Sequence, residues 1–342
     1  MTTEQAATAS DHSDANATMQ AVVQDRYGPP DVLRCATVAR PATGDNDVLI
    51  RVHAAGVHIG DWHLMTGQPY LMRVMGFGLR APKRRIRGTD VAGTVVSVGA
   101  RVSELQVGDE VFGACDGAYA EYATARPGTL ARKPVNLSFE QAAAAPTSAA
   151  TALTAVRDAG HVTAGQRVLV IGASGGVGLF AVQIAKAFGA EVTGVCRTSK
   201  VELVRSVGAD HVIDYTQTDV GSNGQRYDVI LDMGGNRPLS QLRRGLTPRG
   251  TLVLVGGEGG GRWIGGAMGR SLRALTLSPF VSQQLRMVVA TVKRRDMDVL
   301  SELIEAGKLT PIIDTVHPLS GVSDAIRHLV DGRAHGKLAI SV

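Results

Sequence analysis

Four glycines fall within eight residues in the stretch IGASGGVG, Ile171 to Gly178, between the β-branched run QRVLV and the helical stretch LFAVQIAKAFGA. Glycine inside a regular element costs about 0.5–1 kcal/mol relative to alanine, so such a cluster answers a geometric demand. At a strand-to-helix junction three demands exclude a side chain: a tight turn, a backbone that can approach a diphosphate, and close packing of helix on sheet. Gly172, Gly175, Gly176 and Gly178 meet them, with Ser174 and Val177 in the same loop. A phosphate placed there would face unpaired N–H groups and the positive end of the helix dipole. A tight turn without a ligand is the plainer alternative, and the surrounding strand pattern argues against it.

The next strand, EVTGVC, runs into RTSK, where an NAD site would carry an acidic residue for the ribose 2′-hydroxyl. Arg197, Thr198, Ser199 and Lys200 supply cations and hydroxyls instead. A 2′-phosphate is a compact anion suited to Arg and Lys, so Arg197, Ser199 and Lys200 imply NADPH. A solvated helix start is the other reading of the same four residues. A second constellation lies upstream, in GVHIGDWHLMTGQPY, where His58, Asp61 and His63 cluster. His63 is a residue type able to donate a proton near neutral pH, or a plain loop histidine. Asp61 fits a loop-holding role through backbone N–H groups better than direct catalysis. Together with His53 these histidines are five residues apart, a spacing that suits neither one helix face nor one strand face, so no metal site is expected.

These residues need a scaffold in two parts. From Met19 to about Arg132, short strands alternate with Gly- and Asp-rich turns, which predicts a mainly antiparallel β domain. From about Gly165, six strands alternate with helices: RVLVIGA, EVTGVC, HVIDY, YDVILDM, TLVLVGG and RALTLSPF. Parallel neighbours need helical crossovers, so this half predicts an α/β, doubly wound parallel sheet. Beyond Ser282 come an amphipathic helix, HPL, a second helix around SGVSDAIRHLV and a last strand, KLAISV, expected to return to the β domain. The expected boundaries are a disordered leader over 1–18, a catalytic domain over 19–145, a cofactor domain over 146–282 and a returning segment over 283–342. The apolar stretch Arg273–Phe280 is expected as an exposed edge strand that pairs with a second copy, giving a homodimer.

A chain of 342 residues with 44% hydrophobic and 20% charged residues reads as globular. Its basic residues, net charge +5, are scattered apart from one cluster, and only 4% of residues are aromatic, which argues against nucleic acid as a partner. The three cysteines show no C-x-x-C spacing and build neither a disulfide framework nor a zinc lobe, as expected of a cytoplasmic protein. The uncharged run Gln141 to Val156 is too short and too rich in Ala, Ser and Thr for a membrane span. The N-terminal residues lack the positive charge of a targeting signal.

The ordered set GVHIGDWHLMTGQPY, GTDVAGTVVSVG, VGDEVFG, AAAAPTSAATALTAV and GASGGVG resembles the medium-chain dehydrogenase/reductase superfamily, and most closely its zinc-free, quinone-oxidoreductase-like branch. The resemblance runs from Met19 to Val342. It implies a GroES-like catalytic domain and a Rossmann cofactor domain. His58 stands where zinc members carry a cysteine, and Gly88–Asp90 reads GTD in place of GHE. The zinc-free pattern Asn-x-x-Asp-x-Tyr reads His58-x-x-Asp61-x-His63 here, so the proton-delivering residue departs from the family. Thr147 matches a threonine beside the nicotinamide, with a helix N-cap as its structural alternative. Tyr215 resembles an adenosine-side contact, and Gly256 and Gly257 nicotinamide-side contacts. Lys337 resembles a family lysine near the chain end.

Without a Lewis acid, simple alcohol–ketone interconversion loses several kcal/mol of stabilisation, whereas a conjugated acceptor spreads the charge of an added hydride. The resemblance therefore implies an NADPH-dependent reductase of quinones or of activated C=C bonds, acting on a small hydrophobic carbonyl or quinone substrate. A metal-free aldehyde or ketone reductase and a non-catalytic, redox-sensing NADPH-binding protein are the competing readings. The insertion Leu71–Gly88 begins apolar and ends with Arg80, Lys83, Arg84, Arg85 and Arg87. It fits a lid over an apolar substrate, a solvated basic loop, or a surface for an acidic partner or nucleic acid.

Overall fold

The computed structural model describes residues 17–220, 224–257, 263 and 265–342. The expected leader lies outside the described residues except at its end, where Thr18 already opens the first strand, Thr18–Gln24. Two large sheets organise the chain. One has seven strands, six of them in the order Ile313–Pro318, Lys337–Ser341, Val48–Val57, Asp90–Val98, Glu110–Ala114 and Leu130–Arg132, with Tyr122–Ala125 paired to Val48–Val57. All its pairings are antiparallel except that of its two C-terminal strands. Val48–Val57 is its central strand, with Val48, Ile50 and Val52 buried on one face, each worth up to about 3 kcal/mol of transfer free energy.

The second sheet is parallel throughout, in the order His211–Asp214, Glu191–Cys196, Arg167–Ile171, Tyr227–Asp232, Leu246–Leu254 and Gln284–Met287. Sequence order reverses between Arg167–Ile171 and Tyr227–Asp232. In doubly wound sheets ligands bind beyond the carboxyl ends of the strands at such a switch point. Gly172 follows the first of these strands and Met233 the second, so the glycine loop sits at the switch. Its helix, Gly176–Ala187, buries Leu179, Phe180, Val182 and Ile184 against the sheet.

Arg273–Phe280 is not an edge strand. It forms the last turns of the helix Gly265–Leu277 and the short turn Ser278–Phe280. Leu, Arg and Ala are better helix formers than strand formers, and Ala274 is the residue buried in the core beneath the sheet. The sixth strand comes later, at Gln284–Met287, inside the segment expected to have left this half of the molecule. A dimer paired through Arg273–Phe280 therefore loses its strand. The remainder of the C-terminal segment does return: Lys337–Ser341 pairs antiparallel with Val48–Val57, Leu338 opposite Val57. The strand Ile313–Pro318, which had no strand expectation in the sequence, accompanies it. This return brings Lys337 to the boundary between the sheets.

Candidate active site

A cavity of about 1040 Å³ lies between the two sheets. From the first half come Val57, His58, Ile59, Gly60 and His63; from the second, the glycine loop, Arg197, Tyr215 and the loops after the fourth and fifth strands. The C-terminal strand adds Lys337. Its size is at the upper end of small-molecule sites, suited to a dinucleotide with a second ligand.

The cavity's end at the glycine loop is shaped by missing side chains. Gly172 has φ +80°, open to glycine with little strain. A Cβ at Gly178 would stand 2.1 Å from the Gly172 carbonyl oxygen and 2.8 Å from Ala173 Cα, both backbone atoms. Gly172, Ser174, Gly175, Gly176, Val177 and Gly178 all line the cavity. Gly176 opens the helix, so its first N–H groups face the cavity, and the arrangement fits the diphosphate of a nicotinamide cofactor.

The part of the cavity after the strand Glu191–Cys196 divides the expected trio. Arg197 is exposed and lines the cavity; its carbonyl accepts the Lys200 N–H at 3.0 Å, and its guanidinium makes no hydrogen bond among the described residues. Ser199 is exposed and does not line it. Lys200 lines it but is 93% buried, and its ammonium donates to the Ala334 carbonyl at 2.5 Å and, more weakly, to Gly332 at 3.5 Å. Burial pushes this amine below its ordinary value, and nearby Arg197 acts in the same direction. Lys200 thus ties the cofactor half to the C-terminal turn, a long-range role that a local pattern of cations cannot reveal. Tyr215 lines the cavity where its backbone N–H reaches the Cys196 carbonyl. Gly256 lines it as well, and a Cβ there would stand 2.3 Å from the Met233 carbonyl oxygen. Gly257 does not line it; its Cα packs against Gly235.

At the opposite end the His58–Asp61–His63 cluster separates into different tasks. His58 is the N-cap of the helix Ile59–Thr66. Its Nδ1 accepts from the Gly60 N–H at 3.1 Å, so in the neutral ring Nε2 carries the proton and donates to Thr89 Oγ1 at 2.7 Å. Asp61 completes the capping box by accepting the His58 N–H at 3.0 Å. The same carboxylate oxygen accepts the buried Tyr119 hydroxyl at 3.0 Å. Burial, reinforced by Asp61, raises the Tyr119 pKa well above 10 and keeps it a donor. Tyr119→Phe leaves a buried carboxylate short of a donor and is expected to cost about 1–3 kcal/mol, read as a lower urea midpoint. His63 lies one helical turn on and faces the cavity. Its Nδ1 is 3.0 Å from the Gln68 carbonyl, which only accepts, so Nδ1 holds a proton and the ring can donate from Nε2 only as the imidazolium.

Two buried groups join these ends. Asp90, fully buried, accepts the Thr147 hydroxyl at 2.5 Å and the Thr147 N–H at 3.1 Å, and so caps the helix Pro146–Leu153 from a distant strand. Burial raises its pKa, opposed by His58, Lys337 and the Thr147 bond. Thr147, expected beside the nicotinamide, does line the cavity, but its hydroxyl proton is committed to Asp90. Lys337 is 3% exposed and donates to the Val57 carbonyl at 3.0 Å and to Ser148 Oγ at 2.8 Å. A Cβ at Gly176 would lie 3.6 Å from its Nζ, which puts the ammonium beside the start of the helix Gly176–Ala187. Asp90 and Ser148 had no signal in the sequence as site residues, because each acts through a partner dozens of residues away.

The family model described as "Alcohol dehydrogenase GroES-like domain" matches residues 44–135, and the one described as "Zinc-binding dehydrogenase" matches residues 207–340. The mitochondrial NAD(P)H oxidoreductase RTN4IP1 of Danio rerio is 32% identical, over 95% of this chain and 91% of its own. The 2-methylene-furan-3-one reductase of Solanum lycopersicum is 34% identical, over 92% and 76% respectively. Among solved structures, the quinone oxidoreductase from Coxiella burnetii superposes with a TM-score of 0.83 at 27% identity, over 95% of this chain and all of its own. The glycine loop at the switch point and the cavity between the two sheets agree with these likenesses. The chain belongs to the medium-chain dehydrogenase/reductase superfamily, in its quinone-oxidoreductase-like branch, and is an NAD(P)H-dependent oxidoreductase.

Proposed function

We propose that this protein uses NADPH to reduce quinones or the activated C=C bond of α,β-unsaturated carbonyls, without a metal ion. The observation that carries the reading is one cavity whose two ends differ. One end has the glycine loop, the helix N-terminus and the exposed Arg197; the other is lined by Val57, Ile59 and His63. Arg197 is placed to meet a 2′-phosphate, alone of the three residues expected there. A bound nicotinamide would supply the hydride. The reading without metal is supported by the donor set: among the described residues no three His, Cys, Asp or Glu side chains group in a way that could hold an ion. Names among the relatives include both quinone and enone reductases, in accord with a conjugated acceptor.

The chain's own residues set up the chemistry. His58, Asp61 and Tyr119 fix the helix that presents His63. As the imidazolium, His63 is the candidate donor to the carbon or oxygen that gains charge, and its proton is restored from water. Lys337 has two of its three donors occupied and holds its positive charge against the phosphate-facing helix. To test the reading, the product of an enal is identified by mass spectrometry and NMR. A saturated aldehyde is expected; an allylic alcohol would favour the carbonyl reductase reading, and no product despite NADPH binding would favour the redox-sensing one.

Lys337→Met is expected to weaken NADPH binding by about tenfold, the usual worth of a charge-assisted hydrogen bond, with a smaller effect on kcat. It also carries a pH signature. Burial lowers the folded pKa of this amine below its ordinary 10.5, with Asp90 and Asp61 opposing. Between the folded and unfolded values the unfolded chain binds more protons, so this group makes stability rise with pH. The wild type should therefore gain stability relative to Lys337→Met as pH rises toward 10.5. A difference that stays constant with pH, measured by urea unfolding of both proteins, would remove the buried-amine account.

A further inference from the structure

None of residues 71–88 lines the cavity, so the insertion is not a lid in this structure. It instead forms an ordered projection. Arg73 donates to the Gly67 carbonyl at 2.8 Å and to the Thr66 carbonyl at 3.1 Å, and lies over the rings of Tyr27 and Tyr70. The Tyr27 hydroxyl reaches the Phe77 and Gly78 carbonyls at 2.8 and 2.7 Å, and the Lys83 N–H reaches the Phe77 carbonyl at 2.9 Å. This pinned backbone holds apolar side chains out in solvent: Val74 is 70% exposed, Met75 65%, Phe77 46% and Leu79 69%. Trp263, 74% exposed, stands edge-on to Tyr70 beside them. Solvated single hydrophobic residues are ordinary, but four within six residues on a fixed scaffold are a surface for something.

We propose that this projection docks the protein on an anionic lipid bilayer, with Val74, Met75, Phe77 and Leu79 entering the headgroup–acyl boundary. The cations that follow decide between partners. Arg84 and Arg85 pair with Asp116 and Asp25, but exposed Arg80 and Lys83 make no ion pair among the described residues. Apolar residues that insert and unpaired cations at headgroup height are what an anionic membrane surface recognises. A second copy on the same patch would bring Arg80 and Lys83 of both chains together, a like-charge contact that opposes self-association. The net charge of +5 adds long-range attraction to the same surface. His63 and the Arg73 anchor share one helix end, so docking would place the cavity's acceptor side near the bilayer, a source of apolar substrates. The docking itself does not rest on the reductase reading, because it is measured without turnover.

The test is cosedimentation of the full chain with vesicles of phosphatidylcholine alone and of phosphatidylcholine with phosphatidylglycerol, at low and high salt. Two double variants accompany it, Met75→Ser with Leu79→Ser, and Arg80→Ser with Lys83→Ser, each checked for an unchanged unfolding midpoint. Wild type is expected to bind the anionic vesicles about tenfold or more tightly than the neutral ones, and to be released by salt. Each double variant should lose about tenfold in that binding. Wild type remaining in solution with both kinds of vesicle would overturn the proposal, as would variants that bind like wild type. A patch-dependent dimer with no vesicle binding would assign the face to a second copy instead.

Discussion

Gly178→Val should abolish measurable cofactor binding while leaving the GroES-like half folded. The added Cβ would sit 2.1 Å from the Gly172 carbonyl oxygen and 2.9 Å from the Ala173 carbonyl carbon, and neither can turn aside as a side chain could. Helix and loop must separate, which withdraws the N–H groups at the Gly176 turn from the phosphates. Overpacking of this kind costs about 1–3 kcal/mol in the fold, and displaced donors cost more in binding, so about a hundredfold weaker NADPH binding is the least expected. Fluorescence titration of NADPH gives the affinity, and circular dichroism shows whether the chain has folded. Binding within a few-fold of wild type would mean that the loop does not touch the cofactor.

The second large effect separates Arg197 from Lys200. Arg197→Glu replaces an exposed cation that lines the cavity with an anion, and the 2′-phosphate would meet repulsion instead of a charge-assisted bond. The expected outcome is a KM for NADPH raised by about thirtyfold or more, with NADH altered by less than about threefold, so that the preference inverts. Lys200→Met should behave differently, because its ammonium is spent on the Ala334 and Gly332 carbonyls. It should lower stability and weaken both cofactors to a similar degree. Steady-state kinetics with each cofactor reads both outcomes. Equal loss of NADPH and NADH in Arg197→Glu would show that Arg197 does not face a 2′-phosphate.

Local signals were legible where local geometry imposes them. The glycine loop reads from the sequence because each glycine answers a contact within its own turn, as Gly178 does against Gly172. The strand-and-helix alternation from Gly165 onward reads for the same reason, since crossovers are short and periodic. The stretch RALTLSPF misled because its Leu-Thr-Leu alternation mimics a strand, while its neighbours back to Gly265 continue a helix. RTSK was legible as a cluster of cations, but not which of them would face the ligand. Lys200 turns toward a segment 132 to 134 residues away, a choice made by burial and not by its neighbours.

The acceptor end was less legible still. Asp61 reads from the sequence as a residue that holds the loop through a backbone N–H, but His58 and His63 look alike on the page, and only the structure shows that His58 caps the helix while His63 lines the cavity without a capping role. The Asp90–Thr147 link spans 57 residues, and Lys337 reaches Val57 across 280. Neither pairing leaves a periodic trace. The first arises because the helix Pro146–Leu153 starts against the strand Asp90–Val98, the second because the last strand returns to the first sheet and brings a buried amine to the cofactor half.

The most direct test of the central claim is NADPH oxidation by the purified protein with an ortho-quinone and an enone, followed at the cofactor's absorbance, with NADH and a simple aldehyde as matched controls and with chelator present throughout. The account predicts turnover on both conjugated acceptors, NADPH preferred, and undiminished by the chelator. Turnover confined to the aldehyde, or lost on chelation, would contradict it.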